Sequence, residues 1–170
     1  MTSAITRRHL VAGTTALTLL PLRTQAQTPT AVLIYADGLK NGWWIGGWAK
    51  HQAQFAFADG SKPVAVTMAG WNVMTFQTSA PFDPADFSTI TLLVHGGPKG
   101  KQEFKLSAKL GDKVVSGAEL SVKVPKGDWA RIDVRLKDLK LKDAKFDTLV
   151  LNNASAEAMD EFYINYVLIQ

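Results

Sequence analysis

The stretch EFKLSAKL, Glu103 to Leu110, alternates apolar and polar residues without a break. Phe104, Leu106, Ala108 and Leu110 fall on one side of an extended chain, and Glu103, Lys105, Ser107 and Lys109 on the other. A period of two is the pleat of a β-strand with one face in a core and one in water. Directly after it, Gly111-Asp112-Lys113-Val114 has the composition of a hairpin turn. ARIDVRL, Ala130 to Leu136, repeats the alternation with Ile132, Val134 and Leu136 inside. Working outward, short runs of valine, isoleucine, threonine and aromatics between glycine, proline and aspartate predict further strands. These cover 31–35, 48–57, 63–68, 71–77, 89–95, 113–116, 118–124, 148–152 and 162–168. No run keeps a helical period for more than a turn or two. The fold class is therefore all-β, an antiparallel two-sheet sandwich without an internal repeat.

Residues 1–26 are read separately. They contain no acidic residue; Arg7 and Arg8 precede an apolar run from Leu10 to Leu22, and Thr24-Gln25-Ala26 supplies small residues before a cut. That is the layout of an export signal. TRRHLVAG resembles a twin-arginine signal, with His9-Leu10 where phenylalanine and leucine are usual. The apolar run is too short for a good membrane span, so the expectation is a periplasmic or secreted protein whose mature part, 27–170, is one sandwich domain free of the membrane.

Without the signal, 16 basic residues face 15 acidic ones. The basic character of the whole chain belongs largely to the signal, and nucleic acid is an unlikely class of partner. There is no cysteine, so an apolar core must hold the exported domain without disulfides. LKDLKLKDAK, Leu136 to Lys145, reads as a charged, solvated connection.

Several chemistries lack their residues. Beyond the signal only His51 and His95 remain, with no thiol and no Gly-x-Ser-x-Gly elbow, which leaves no activated nucleophile and no tetrahedral zinc shell. HGGPKGK, His95 to Lys101, lacks the Lys-Ser/Thr ending of a phosphate loop and reads as a hairpin turn. Calcium is the one ion the composition leaves open, through Asp37, Asp59, Asp160 and Glu161 in loops or at strand ends. No acidic pair stands in an apolar context that would mark it as a glycosidase dyad.

The tryptophans are the informative residues. GLKNGWWIGGWAK, Gly38 to Lys50, places Trp43, Trp44 and Trp48 among Gly42, Gly46 and Gly47, which permit tight turns and close approach to the backbone. At least one of these rings belongs to the core. A strand through Trp48 would put Lys50, Gln52 and Gln54 on its face. In AGWNVMTFQT, Ala69 to Thr78, alternation sets Asn72, Met74 and Phe76 against Trp71, Val73, Thr75 and Gln77. An indole beside hydroxyl and amide groups suits a face that stacks on sugar rings; a strand-end plug is the other reading of Trp71. Trp129, before an amphipathic strand, reads as structural.

Taken in order, YADGLKNGWWIGGWAK, AGWNVMTF, APFDPADFSTITLLVHGG, GDWARIDVRLKDL and DEFYINYVLI resemble the galactose-binding-like jelly-roll modules of bacterial secreted carbohydrate-active proteins. The resemblance implies that Tyr35, Asp37, Trp43, Trp48 and Trp71 are binding or rim residues and that Trp129 is the core tryptophan. Asn165 stands where many such modules carry aspartate, which argues against calcium. The expected function is non-catalytic binding of a polysaccharide or oligosaccharide, alone or beside a secreted carbohydrate-active enzyme. Trp71 and one or two of Trp43, Trp44 and Trp48 would stack, and Gln52, Gln54, Asn72, Thr75, Gln77 and His95 would supply hydrogen bonds. The alternatives are a protein-contact module using the same aromatic surface and a small glycosidase or lyase.

Overall fold

The computed structural model describes residues 31–141 and 143–170; the expected export signal lies outside them. The strands are β1 (Val32–Tyr35), β2 (Trp44–Gly47), β3 (Lys50–Gln52), β4 (Val64–Thr67), β5 (Val73–Phe82), β6 (Thr89–His95), β7 (Glu103–Leu110), β8 (Lys113–Val114), β9 (Leu120–Lys123), β10 (Trp129–Arg135), β11 (Phe146–Asn152) and β12 (Phe162–Ile169). They form two antiparallel six-stranded sheets. The first runs β10-β6-β12-β4-β3, with β1 also beside β12; the second runs β2-β5-β11-β7-β8, with β9 also beside β7.

Alternation decides which side chains enter the core. From the first sheet Ile90, Leu92, Val94, Ile164 and Val66 point inward, and from the second Met74, Phe76, Leu149, Leu151, Leu106 and Ala108. Phe104 and Phe162 close the gap between the sheets, stacked with ring centroids 5.8 Å apart and planes 19° from parallel. Trp43 packs between Phe82 and Phe146, at 6.5 Å from each, and is buried. It is core, not a binding residue, because Ile45 and the turn before β2 draw it inward while Trp44 takes the opposite side.

Three local expectations change. The predicted strand over 48–57 does not exist as one piece. The chain pairs earlier, as β2 in the second sheet, then crosses to the first as the short β3, and 53–63 folds as a loop. HGGPKGK is not a hairpin but an arch that carries the chain from β6 in one sheet to β7 in the other, closed by the Gly100 N–H to the Gly96 carbonyl at 2.9 Å. In LKDLKLKDAK, residues 136–141 form a tight turn whose Leu136, Leu139 and Leu141 are buried while Lys137 and Lys140 face water. Its charges masked an apolar plug.

Trp43→Ala is therefore expected to cost about 3–5 kcal/mol of unfolding free energy, as for other large core truncations. Trp48→Ala should stay within about 0.5 kcal/mol. Urea denaturation of the two variants checks this, and equal losses would contradict the assignment of Trp43 to the core.

Candidate functional site

The outward side of the second sheet presents a regular array. Register places Trp44, Gln77, Thr148 and Lys109 in one row across β2, β5, β11 and β7. Gly46, Thr75, Val150 and Ser107 form the next, and Val73, Asn152, Lys105 and Ser121 a third that ends on β9. The Trp44 indole N–H donates to Gln77 Oε1 at 3.0 Å, and Gln77 Nε2 donates to Thr75 Oγ1 at 2.8 Å. This relay fixes the indole against the sheet. Gly46 makes it possible, since a Cβ there would sit 3.0 Å from both Gln77 Nε2 and Thr75 Oγ1.

Two more indoles stand at the turns that follow β2 and precede β5. At Gly47, φ is +95° and a Cβ would fall 2.3 Å from the Val73 carbonyl oxygen, so only glycine fits. That close approach lets the Trp48 and Ala49 amides both donate to Val73 O, at 2.8 and 3.0 Å. Ala49 turns into the core, and Trp48 is left 81% exposed. Asn72 steadies the turn through its Nδ2 to Trp48 O at 3.3 Å. Trp71 has φ +62°, a left-handed conformation that is uncommon for a bulky residue. It is held there by its amide to Ser155 O at 2.9 Å and by Gly70, whose missing Cβ clears the Ala156 carbonyl. The ring is 63% exposed.

Of the residues expected in the site, Trp44, Trp48, Trp71, Asn72, Thr75 and Gln77 thus gather on or beside one face. Asn72 positions Trp48, and Thr75 is buried under the relay. The others do not join them. Gln52 lies on β3 of the first sheet, paired with Ala65. Gln54 sits in the loop after it, with its amide N–H donating to the Tyr35 hydroxyl and its Nε2 to Asp37 O. They miss Trp48 because the chain changes sheets between Gly47 and Lys50. His95 is on the outer side of the first sheet, its ring 5.0 Å from Phe57, 5.2 Å from Trp129 and 5.8 Å from Tyr163, with Nδ1 accepting the Gly97 N–H. Trp129 joins that outer cluster and not the central core; its indole N–H donates to Asp59 Oδ2 at 2.8 Å.

The loop 53–63 is a strap over this end of the first sheet, pinned by two carboxylates. Asp37 Oδ1 accepts the Lys62 N–H at 2.8 Å and Asn165 Nδ2 at 2.9 Å, and these hydrogen bonds hold its carboxyl below its ordinary range. Asp59 is lowered by its bonds to Ser61, with Trp129 adding to the effect. Burial, aided by the bond to Glu161, pushes the Tyr163 hydroxyl up to about 12. The four acids considered for calcium are spread over separate donors: Asp160 pairs with Lys99 at 2.8 Å and Glu161 accepts from Tyr163. Among the described residues no group of three or more potential metal ligands converges.

Lys105, Ser107, Lys109, Thr148 and Asn152 complete the face and were not expected in the site. Alternation marked Lys105, Ser107 and Lys109 as outward, but the strand order that brings β7 and β11 beside β5 has no local signal.

No protein-family profile and no curated protein matches this chain. Its fold is similar to that of a family 29 carbohydrate-binding module from Piromyces equi, at 16% identity and a TM-score of 0.59 over 82% of this chain and 89% of that one. It is similar also to a family 11 carbohydrate-binding module from Clostridium thermocellum, solved with a β-1,3-1,4-mixed-linked tetrasaccharide. There the identity is 12% and the TM-score 0.58, over 82% and 94% of the two chains. An exo-β-agarase matches at 12% identity and a TM-score of 0.59, this chain covering 24% of it. The fold is thus the galactose-binding-like jelly roll. Piromyces is a fungus, so the likeness extends beyond bacterial proteins.

Gly46→Ala should displace the Gln77 amide and free the Trp44 indole N–H at a stability cost within about 1 kcal/mol. Its indole proton resonance and exchange rate report the change. Gly47→Ala, by contrast, should unfold the turn and cost several kcal/mol, because both φ and the Val73 carbonyl oppose a side chain. For the strap, the depressed carboxyls of Asp37 and Asp59 contribute stability that is complete above their unfolded value near about 3.9 and lost as pH falls through the folded values below it. An NMR titration of the Lys62 and Ser61 amides should give midpoints below about 3.9; midpoints at or above that value would contradict the clamp.

Proposed function

We propose that this is an exported, non-catalytic domain that binds polysaccharide on the open face of its second sheet. Trp48 and Trp71, standing out of turns that hold their backbones, are the observation that supports it most. Large apolar rings held in solvent, Trp71 at a cost in backbone strain, mark a binding surface, and an indole beside amides and hydroxyls is matched by a pyranose with its apolar C–H patch and equatorial hydroxyls. Carbohydrate-binding modules sharing the fold, one solved with a tetrasaccharide and another with mannohexaose, agree with the reading. The row of Trp44, Gln77, Thr148 and Lys109 runs across four strands, which suits an internal stretch of a glycan chain.

Catalysis is a poor match. The three rows carry no carboxylate, and a glycosidase needs two acids across the scissile bond. The export signal, its twin-arginine character and an enzyme partner belong to the same proposal, supported by residues 1–26 and by the small size of the domain.

Stacking one sugar on an indole removes roughly 80 Å² of apolar surface from water, about 2 kcal/mol. Trp48→Ala and Trp71→Ala should each weaken retention on the bound glycan about 30-fold while leaving the melting temperature unchanged. Affinity electrophoresis across a panel of soluble polysaccharides, with calorimetry on the retained ones, is the measurement. A protein retained by no glycan, or variants that bind as the parent does, would exclude this function and favour a protein-contact role.

A further inference from the structure

Within the three rows of the outward face that run between β2 and β9, the charge is of one sign. The only ionisable side chains there are Lys105 and Lys109, and neither takes part in an ion pair among the described residues. The carboxylates at the margins are differently placed. Asp147 beside Thr148 has one oxygen accepting the Thr148 hydroxyl and the other the Gly111 N–H, both at 2.8 Å, and Glu103 faces Lys123 in the row beyond Lys105. Elsewhere Arg131 is paired with Asp133, Arg135 with Asp138, Lys99 with Asp160 and Lys145 with Asp83, while Lys50, Lys113 and Lys123 lack an ion pair among the described residues, as Lys105 and Lys109 do; what distinguishes these two is their place in rows without a carboxylate. The chain as a whole is close to neutral once the expected signal is set aside.

Geometry makes the two lysines part of the aromatic face. Both are half-buried and flank Ser107, which is itself covered. Lys105 Nζ donates to Ser121 Oγ, and Lys109 lies in the row that begins at Trp44. Four residues of strand separate them by about 13 Å, and three strand spacings set them about 14 Å from the β2 line that carries Trp44. A sugar chain crossing the sheet begins on an indole, passes the amides of Gln77 or Asn152, and ends at an ammonium group. A polymer with apolar ring faces and anionic substituents suits both ends, since an ammonium bonds a carboxylate or sulfate more strongly than a neutral hydroxyl.

We infer that the ligand is an anionic polysaccharide, a pyranose polymer carrying uronate or sulfate groups, whose rings stack on the indoles while its charges meet Lys105 and Lys109. This rests on the reading of the face as a glycan platform and narrows it to a substrate class. The charge-assisted contacts supply selectivity more than affinity, because partly solvated pairs are individually weak.

Calorimetry with polygalacturonate, its fully methyl-esterified form, a sulfated galactan and a neutral mixed-linkage β-glucan tests it. The expected result is binding to polygalacturonate or to the sulfated galactan, whichever carries the recognised charge, with the ester and the β-glucan at least about tenfold weaker. Lys105→Gln/Lys109→Gln should lose about tenfold toward the anionic polymer at unchanged melting temperature, and Trp48→Ala should lose binding too. Tight binding of the β-glucan with the double lysine variant indifferent would overturn the inference and leave the glycan platform standing. Anionic binding that survives Trp48→Ala would reduce it to bulk charge attraction and overturn it as well. No binding to any glycan would remove both.

Discussion

The carbonyl of Val73 accepts two amide hydrogens, from Trp48 and Ala49, and on that junction the rest of the arrangement depends. It is where the chain leaves the second sheet for the first, so it ties the two layers together at one end. It is also where consecutive side chains part, Ala49 into the core and Trp48 into water. Only a glycine at position 47 allows the approach. A local steric requirement of the backbone thereby produces the most exposed tryptophan of the molecule, and the adjoining turn at Gly70 and Trp71 does the same for a second.

The two outer faces of the sandwich meet different fates. On the first sheet the strap 53–63 lays Phe55 and Phe57 over Tyr163, and Phe57 also over His95 and Trp129, with Asp37 and Asp59 accepting the hydrogen bonds that hold it down. Aromatic residues there cover one another. Among the described residues no comparable aromatic strap lies over the second sheet's row of Trp44, Gln77, Thr148 and Lys109. The same residue types are structural on one face and available on the other, and what separates them is the neighbouring segment.

The Asp37 and Asn165 pair shows how one substitution in a strand alters a local requirement. Asn165 Nδ2 donates to Asp37 Oδ1 while Asn165 Oδ1 accepts the Asp37 amide at 3.0 Å. Two carboxylates so placed would repel and call for a cation between them. An amide supplies both the donor and the acceptor, and the loop closes on protein groups alone.

By itself the sequence determined the fold class and most of the strands. The pleat imposes a period of two that a single segment displays, so Glu103 to Leu110 and Thr89 to His95 emerge with their observed bounds. It also marked Trp44, Trp48 and Trp71 as unusual, from their glycine neighbours and polar company. Glycine's low strand propensity hid β2, and lysines hid the buried leucines of 136–141. Tertiary structure alone decided which rings share a face. Trp43 and Trp44 are adjacent in the chain and opposite in fate, and Lys109, far off in sequence, stands in the row of Trp44. Strand order is set by long-range packing of two sheets, an energy that no local window of residues contains.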